Sequence, residues 1–315
     1  MPAKVSKPNN YYKRGRDLVL GEYIQPGNVG EIPMFLHQTW KSELMQQDYV
    51  HSFDNWSKLH PGFLHVLWTD EDNDLLVKTW FPEFLSSYNW LPLIIQKTDF
   101  VRLMYLYRYG GIYADMDYVA YQPIPPFLPQ LCGFMAVESP YILNECLQNS
   151  LMVTSPENQV VSAALDIINE AVIGLRNNVY KGLDVKNKFI GPLIATFITL
   201  YLTGPQVLDK AVSRLNTGTL KPVLQGGMRN FNPSSVHPAS LESFQRADIS
   251  VVKLSDQFFK GPVAAHLQHK TWVASLPKRC TPLILLTTGL LFLLLSIVVV
   301  VTFAATKHRK IKTHY

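Results

Sequence analysis

An α/β fold, a largely parallel sheet with helices on its faces, is predicted by three features of the first 120 residues. Short apolar segments of strand length alternate with segments of helix length in the order βαβαβ. The strand-length segments are apolar almost throughout, as strands buried on both faces must be. Each ends in polar residues, at the edge where such sheets hold ligands.

Residues 1–30 carry basic residues but no apolar core of a signal peptide, and are expected to form a flexible arm. Ile32 to Trp40 reads as the first buried strand and ends in His37-Gln38-Thr39-Trp40. Ser52 to Leu59 is a short helix, Pro61-Gly62 a turn, and Phe63 to Trp68 the second strand. That strand ends at Thr69-Asp70, before an acidic helix start at Glu71. From Lys97 the chain reads as a helix with Thr98 as N-cap and Asp99 in the first turn, stopped by Gly110-Gly111. The third strand, Ile112 to Ala114, breaks into Asp115-Met116-Asp117. Carboxylates at i and i+2 on an extended segment point to one side and can share a hard cation. Asp99 and Arg102, three apart, share one helix face just before them.

Beyond a proline-rich loop at 122–129, a strand is expected at 133–138 and a helix from Ser155-Pro156 to about Arg176. Phe189 to Leu202, too short to span a bilayer and interrupted by Gly191-Pro192, reads as a buried helix. A further helix runs from Thr203-Gly204-Pro205 to about 216–218, and 221–250 is irregular. The histidine-rich stretch 258–272 closes the globular part. Leu283 to Ala305 is apolar without a charge, and at about 1.5 Å per residue it spans a hydrocarbon core of roughly 30 Å. The chain thus divides into an arm (1–30), a body (31–277), a transmembrane helix (283–305) and a basic tail (306–315).

The net charge of +5 is unevenly placed. Of the 29 Lys and Arg, 11 lie in residues 1–17 and 278–315, where only Asp17 of the 24 acids lies, so the body carries 18 basic against 23 acidic residues. An acidic body argues against nucleic acid as a partner, and the basic tail argues for a membrane surface. Cys132, Cys146 and Cys280 have neither metal-site nor disulfide-framework spacing.

The blocks IPMFLHQTWK, KTDFVRLMYLYRYGGIYADMD, YLTGPQVL and HLQHKTW together resemble the DxD-type glycosyltransferases that include inositol phosphoceramide mannosyltransferases and yeast α-1,6-mannosyltransferase initiators. The resemblance covers roughly 31–272. It implies a GT-A-like, Rossmann-type mixed sheet and transfer of a hexose from a nucleotide sugar to a lipid or glycan acceptor, with retention. The leading expectation is mannose from GDP-mannose to a sphingolipid. A UDP-sugar donor, or an inactive membrane scaffold of this fold, is the alternative. It implies Mn2+ or Mg2+ held by Asp115, Asp117 and His266, with His269 as rival to His266. It further implies donor contacts from Thr39, Trp40, Asp99, Arg102, Tyr113 and Asp115, a Golgi or ER membrane location, and a partner membrane subunit. One departure stands out. Where the family has N-x-x-M-x-S-x-P-G-H-P, this chain reads Asn149 to Gln159 without the Gly-His-Pro. On topology two rules disagree: the charges flanking 283–305 favour a lumenal body, and the missing signal peptide a cytosolic one.

Overall fold

A computed structural model describes residues 5–21, 32–124, 134–139, 146–176, 198–204, 206–216, 228–231, 250–253 and 262–266. All of them belong to one compact unit, Met1–Leu183 with Ala195–His269. The expected transmembrane segment 283–305, the basic tail and His269 lie outside the described residues. Among the described residues no helix is long and apolar enough to cross a membrane.

In chain order the elements are β1 (Val5–Ser6), β2 (Lys13–Arg14), α1 (Gly15–Leu20), β3 (Phe35–Thr39), β4 (Met45–Gln46), α2 (Gln47–Leu59), β5 (Leu64–Trp68) and α3 (Asp70–Trp80). A short 3-10 turn, Pro82–Phe84, leads into α4 (Leu85–Trp90), α5 (Ile94–Tyr109), β6 (Gly111–Ala114), β7 (Tyr118–Ala120), β8 (Phe134–Ser139), β9 (Cys146–Thr154) and α6 (Gln159–Gly174). A π-helical turn, Ile198–Thr203, precedes α7 (Gln206–Asn216), β10 (Met228–Phe231), β11 (Ser250–Lys253) and β12 (Pro262–His266).

The predicted core holds. β3 pairs in parallel with β5 on one side and β6 on the other. Their registers, Thr39 opposite Trp68 and His37 opposite Tyr113, bring the three C-terminal ends side by side. Side chains alternate along β3. Phe35 and His37 face the aromatic surface of α5, while Leu36 packs with Trp56 of α2. Helix α5 is buried without a break from Asp99 to Leu106, which is why its sequence lacks an amphipathic period. Its Tyr105 stacks on Trp68 with ring centroids 4.3 Å apart, a pair worth about 1 kcal/mol beyond its area.

Several elements differ from the sequence expectation. Residues 5–21 are no flexible arm: β2 adds to the sheet beside β5, and Arg14 Nε lies 2.8 Å from the buried Asp72 carboxylate. Helix α5 begins at Ile94, so Thr98 is not its N-cap but donates back to the Ile94 carbonyl at 2.9 Å, and Asp99 lies in the second turn. Helix α3 is capped by Thr69, whose hydroxyl accepts from Asp72 N while the Asp72 carboxylate accepts from Thr69 N. Helix α6 is N-capped by Asn158 instead of Ser155. Strand β9 has no counterpart in the sequence reading, yet it pairs antiparallel with β6 and β8 and makes the sheet mixed. β10 falls in the stretch 221–250 expected to be irregular, and β11 begins at its last residue.

The sheet order is β2-β5-β3-β6-β9-β8-β10-β11-β12-β7. β6 and β7 stand six positions apart in that ladder, about 29 Å if the sheet were flat. The chain joins them through residues 115–117 alone, a reach of roughly 13 Å. The sheet therefore curls back on itself, and that curl places β12 against β7 with His266 opposite Tyr118.

Candidate active site

Asp115 to Tyr118 form a β-turn, closed by Tyr118 N donating to the Asp115 carbonyl at 3.1 Å. The two carboxylates thus stand on the first and third residues of a turn, not on alternate residues of a strand as the sequence suggested. Asp suits the first turn position, and neither Met116 nor Asp117 has positive φ, so no glycine is required. The turn is held on all sides. Asp115 N donates to the Ser150 carbonyl of β9 at 2.8 Å. Beyond the turn, the Tyr118 carbonyl accepts from Ser52 Oγ and, at 2.9 Å, from Trp56 Nε1, while Ala120 N donates to Asn55 Oδ1 at 2.7 Å. Ser52, Asn55 and Trp56 occupy one face of α2.

Arg102 is the electrostatic centre. Its Nη2 lies 3.2 Å from Asp99 Oδ1 and its Nη1 3.1 Å from Asp115 Oδ1. Nη1 also donates to the Asn149 carbonyl at 2.9 Å, and the guanidinium lies 4.9 Å from the Tyr113 ring centroid. Burial works against its charge, but Asp115, Tyr113 and Asp99 hold it protonated. Asp99 is wholly buried, and desolvation lifts its pKa to about 7 against the pull of Arg102. Asn149 Nδ2 and Thr203 Oγ1 donate to its two oxygens at 3.0 and 3.2 Å. Tyr113 donates to Asp115 Oδ1 at 2.6 Å, and burial pushes its own pKa well up.

The sequence-predicted residues separate into two groups. Asp99, Arg102, Tyr113 and Asp115 form one hydrogen-bonded cluster, with the half-buried Asp117 two residues along the turn. Thr39 and Trp40 stand at the end of the neighbouring strand. Thr39 Oγ1 donates to the Trp68 carbonyl at 3.0 Å. Trp40 lies 4.2 Å from Tyr49 between ring centroids, and its buried indole N–H has no hydrogen-bond partner among the described residues. His266 reaches the neighbourhood through its backbone, opposite Tyr118. Asn149 and Thr203 were missed as site residues, although both lie in blocks compared with the family.

Among the described residues no three His, Cys, Asp or Glu side chains come together as a metal cage. Two carboxylates on one turn nevertheless suit a hard divalent cation of the Mg2+ type. Such ions are held by one or two carboxylates, with substrate phosphates and water filling the other positions.

At the departure from the family pattern, Glu157 has φ 55 and donates its backbone N–H to the Tyr107 carbonyl at 2.7 Å. It is the one non-glycine residue with positive φ among those described, and it stands where the family has glycine.

Residues 46–133 match the family described as the glycosyltransferase sugar-binding region containing DXD motif. Inositol phosphoceramide mannosyltransferase 3 of Schizosaccharomyces pombe is 37% identical over 112 residues, 36% of this chain and 32% of that protein. A mannosyl phosphorylinositol ceramide synthase of Saccharomyces cerevisiae is 33% identical over 109 residues, 35% of this chain and 29% of that protein. The matched segment is thus about a third of the length of these relatives. Among solved structures, the PaToxG glycosyltransferase aligns with a TM-score of 0.41 at 16% identity, covering 60% of this chain and 71% of that one. Over residues 46–133 the chain is thus similar to the glycosyltransferase sugar-binding region that carries the DXD motif.

Proposed function

We propose that this protein transfers a hexose from a nucleotide sugar to a lipid acceptor, with mannose from GDP-mannose and an inositol phosphoceramide acceptor as the leading pair. The observation that carries this is the Asp115–Asp117 turn at the C-terminal edge of parallel strands, braced by a buried Arg102. The names of the relatives in Schizosaccharomyces pombe and Saccharomyces cerevisiae support the choice of sugar and acceptor.

In this reading Asp117, with Asp115, holds Mn2+ or Mg2+. Bound there, the ion would offset the charge that builds on the departing diphosphate. Arg102 fixes the Asp115 carboxylate through Oδ1, and Tyr113 donates to the same oxygen, so the carboxylate is oriented before the donor arrives. Asp99, held by Asn149 and Thr203, gives Arg102 a second carboxylate contact beside Asp115. Trp40 offers an aromatic face and an indole N–H to the nucleobase. His266 is the third ligand in this proposal. Retention at the anomeric carbon is carried over from the family resemblance.

The 283–305 segment anchors the protein in a Golgi or ER membrane, with the body lumenal. The Asn55-Trp56-Ser57 sequon is a poor topology reporter: Asn55 is half-buried in α2, and its side-chain oxygen is engaged by Ala120 N. Protease protection in sealed microsomes is the direct test, and digestion of the body in intact vesicles would rule the lumenal placement out. For activity, donor hydrolysis is measured against a panel of nucleotide sugars with Mn2+. GDP-mannose turnover supports the leading pair, UDP-sugar turnover redirects the donor assignment, and no turnover with any donor points to an inactive scaffold.

A further inference from the structure

Gln38 and His65 are buried in an apolar layer, where Phe53 lies flat on the His65 ring with centroids 3.6 Å apart. Gln38 follows His37 along β3 and so faces away from α5, toward α2. Ser57 of α2 bonds His65 Nδ1, and His65 Nε2 lies 3.0 Å from Gln38 Oε1. Gln38 Nε2 in turn lies 3.4 Å from the Asp115 carbonyl, the loosest link of the series. One proton arrangement satisfies every group. The Ser57 hydroxyl donates to Nδ1, Nε2–H donates to Gln38 Oε1, and the Gln38 amide donates to Asp115. All donors then point one way, toward the turn, and bonds in such a series polarise one another. An apolar pair of similar size would fill this layer at no polar cost, whereas leaving either polar group unpaired costs about 1–3 kcal/mol. The series has one outlet, the peptide that links Asp115 to Met116.

We infer that Gln38 and His65 are positioning residues for the acidic turn: through the Asp115 carbonyl they fix the peptide that aims the Asp117 carboxylate at its cation. The inference rests on the proposed metal role of the turn. It differs from the bonds of Ser52 and Trp56, which fix the strand beyond the turn.

The test measures binding of Mn2+ alone to the full chain in detergent, by the loss of the free-ion paramagnetic resonance signal. Gln38→Leu and His65→Phe should each weaken Mn2+ binding about tenfold, and the double variant should be no weaker than the weaker single, because both cut one series. Phe53→Leu, which loosens the same layer but removes no hydrogen bond of the series, should lower Tm and leave Mn2+ affinity within about twofold. If Gln38→Leu fails to fold, Ser57→Ala, at the outer end of the series, should still weaken binding about two- to threefold. Parent-like Mn2+ affinity in the folded series variants, or single effects that multiply in the double, would overturn the positioning role. A parent chain that binds no Mn2+ would overturn the metal role itself, and the positioning role with it.

Discussion

Arg102 Nη1 lies 3.1 Å from Asp115 Oδ1, so the long central helix and the acidic turn share one buried ion pair. The sequence placed Asp99 and Arg102 on one helix face. The structure puts both inside, with Asp99 lending its charge to an arginine already committed to Asp115. Arg102 is therefore a structural element as well as a site residue.

Replacing Arg102 by Ala should cost about 3–5 kcal/mol of stability, since Asp99 and Asp115 would lose their shared counterion inside the protein. Arg102→Lys keeps a charge but cannot reach Asp99, Asp115 and the Asn149 carbonyl together. Transfer should fall at least about tenfold, equivalent to about 1.4 kcal/mol. Urea unfolding alongside kcat/KM checks both. A wild-type Arg102→Lys on both counts would make the bridging geometry irrelevant.

Acid should destabilise the fold through buried histidines. Burial lowers His37 to about 4 and lowers His60 and His65 as well, so on acidification the unfolded chain binds protons at these histidines more readily than the folded one. Their contribution is fully present above about pH 6.5 and is lost as pH falls toward 4. Asp99 has the opposite sign. Raised to about 7, it binds a proton in the folded state alone between about pH 4 and 7, and its contribution is lost as pH rises through that window. Asp70, also raised by burial, acts in the same direction. Between pH 5 and 6 the histidines and the two carboxylates therefore pull stability in opposite directions. Asp99→Asn removes one of the opposing groups and should make the loss of stability toward acid steeper. Urea midpoints across that range measure it, and an unchanged slope would contradict the raised Asp99.

Glu157→Gly should stabilise the protein by about 1 kcal/mol. A left-handed backbone costs a side-chain-bearing residue roughly 1–2 kcal/mol, part of which glycine returns as unfolded-state entropy. Thermal unfolding checks this, and a lower Tm would mean that the Glu157 side chain supports the turn between β9 and α6.

Gly15→Ala should loosen the N-terminal segment. A Cβ at this position would overlap the Trp68 ring at Cε3, and Trp68 is locked by its stack on Tyr105. Overpacking of this kind costs about 1–3 kcal/mol. Faster proteolysis near residues 5–21 should accompany the loss, and unchanged cleavage would separate the arm from the core.

The three parallel strands were legible in the sequence because each is a continuous apolar run with a polar end. So was the stop at Gly110-Gly111, where both residues have positive φ and a Cβ on Gly111 would meet the Phe35 carbonyl at 2.5 Å. Strand β9 was not legible. Gln148, Asn149 and Ser150 interrupt its apolar pattern, because Asn149 Nδ2 donates to Asp99, Ser150 Oγ bonds Tyr118, and Gln148 Oε1 accepts from Ser150 Oγ. The start of α5 was missed because Thr98 carries a capping side chain, which here bonds the preceding turn. The bracing of the acidic turn by Ser52, Asn55 and Trp56 joins residues more than 60 positions apart, beyond the reach of any local pattern.

The most direct test of the central claim is transfer by Asp117→Asn with the parent chain and a chelator as references. Asp117 is half-buried on a turn, so the substitution should leave Tm nearly unchanged while abolishing Mn2+-dependent donor turnover. The parent should lose turnover with the chelator and regain it with Mn2+ or Mg2+. Full turnover by Asp117→Asn, or turnover by the parent that ignores the chelator, would contradict the role given to this turn.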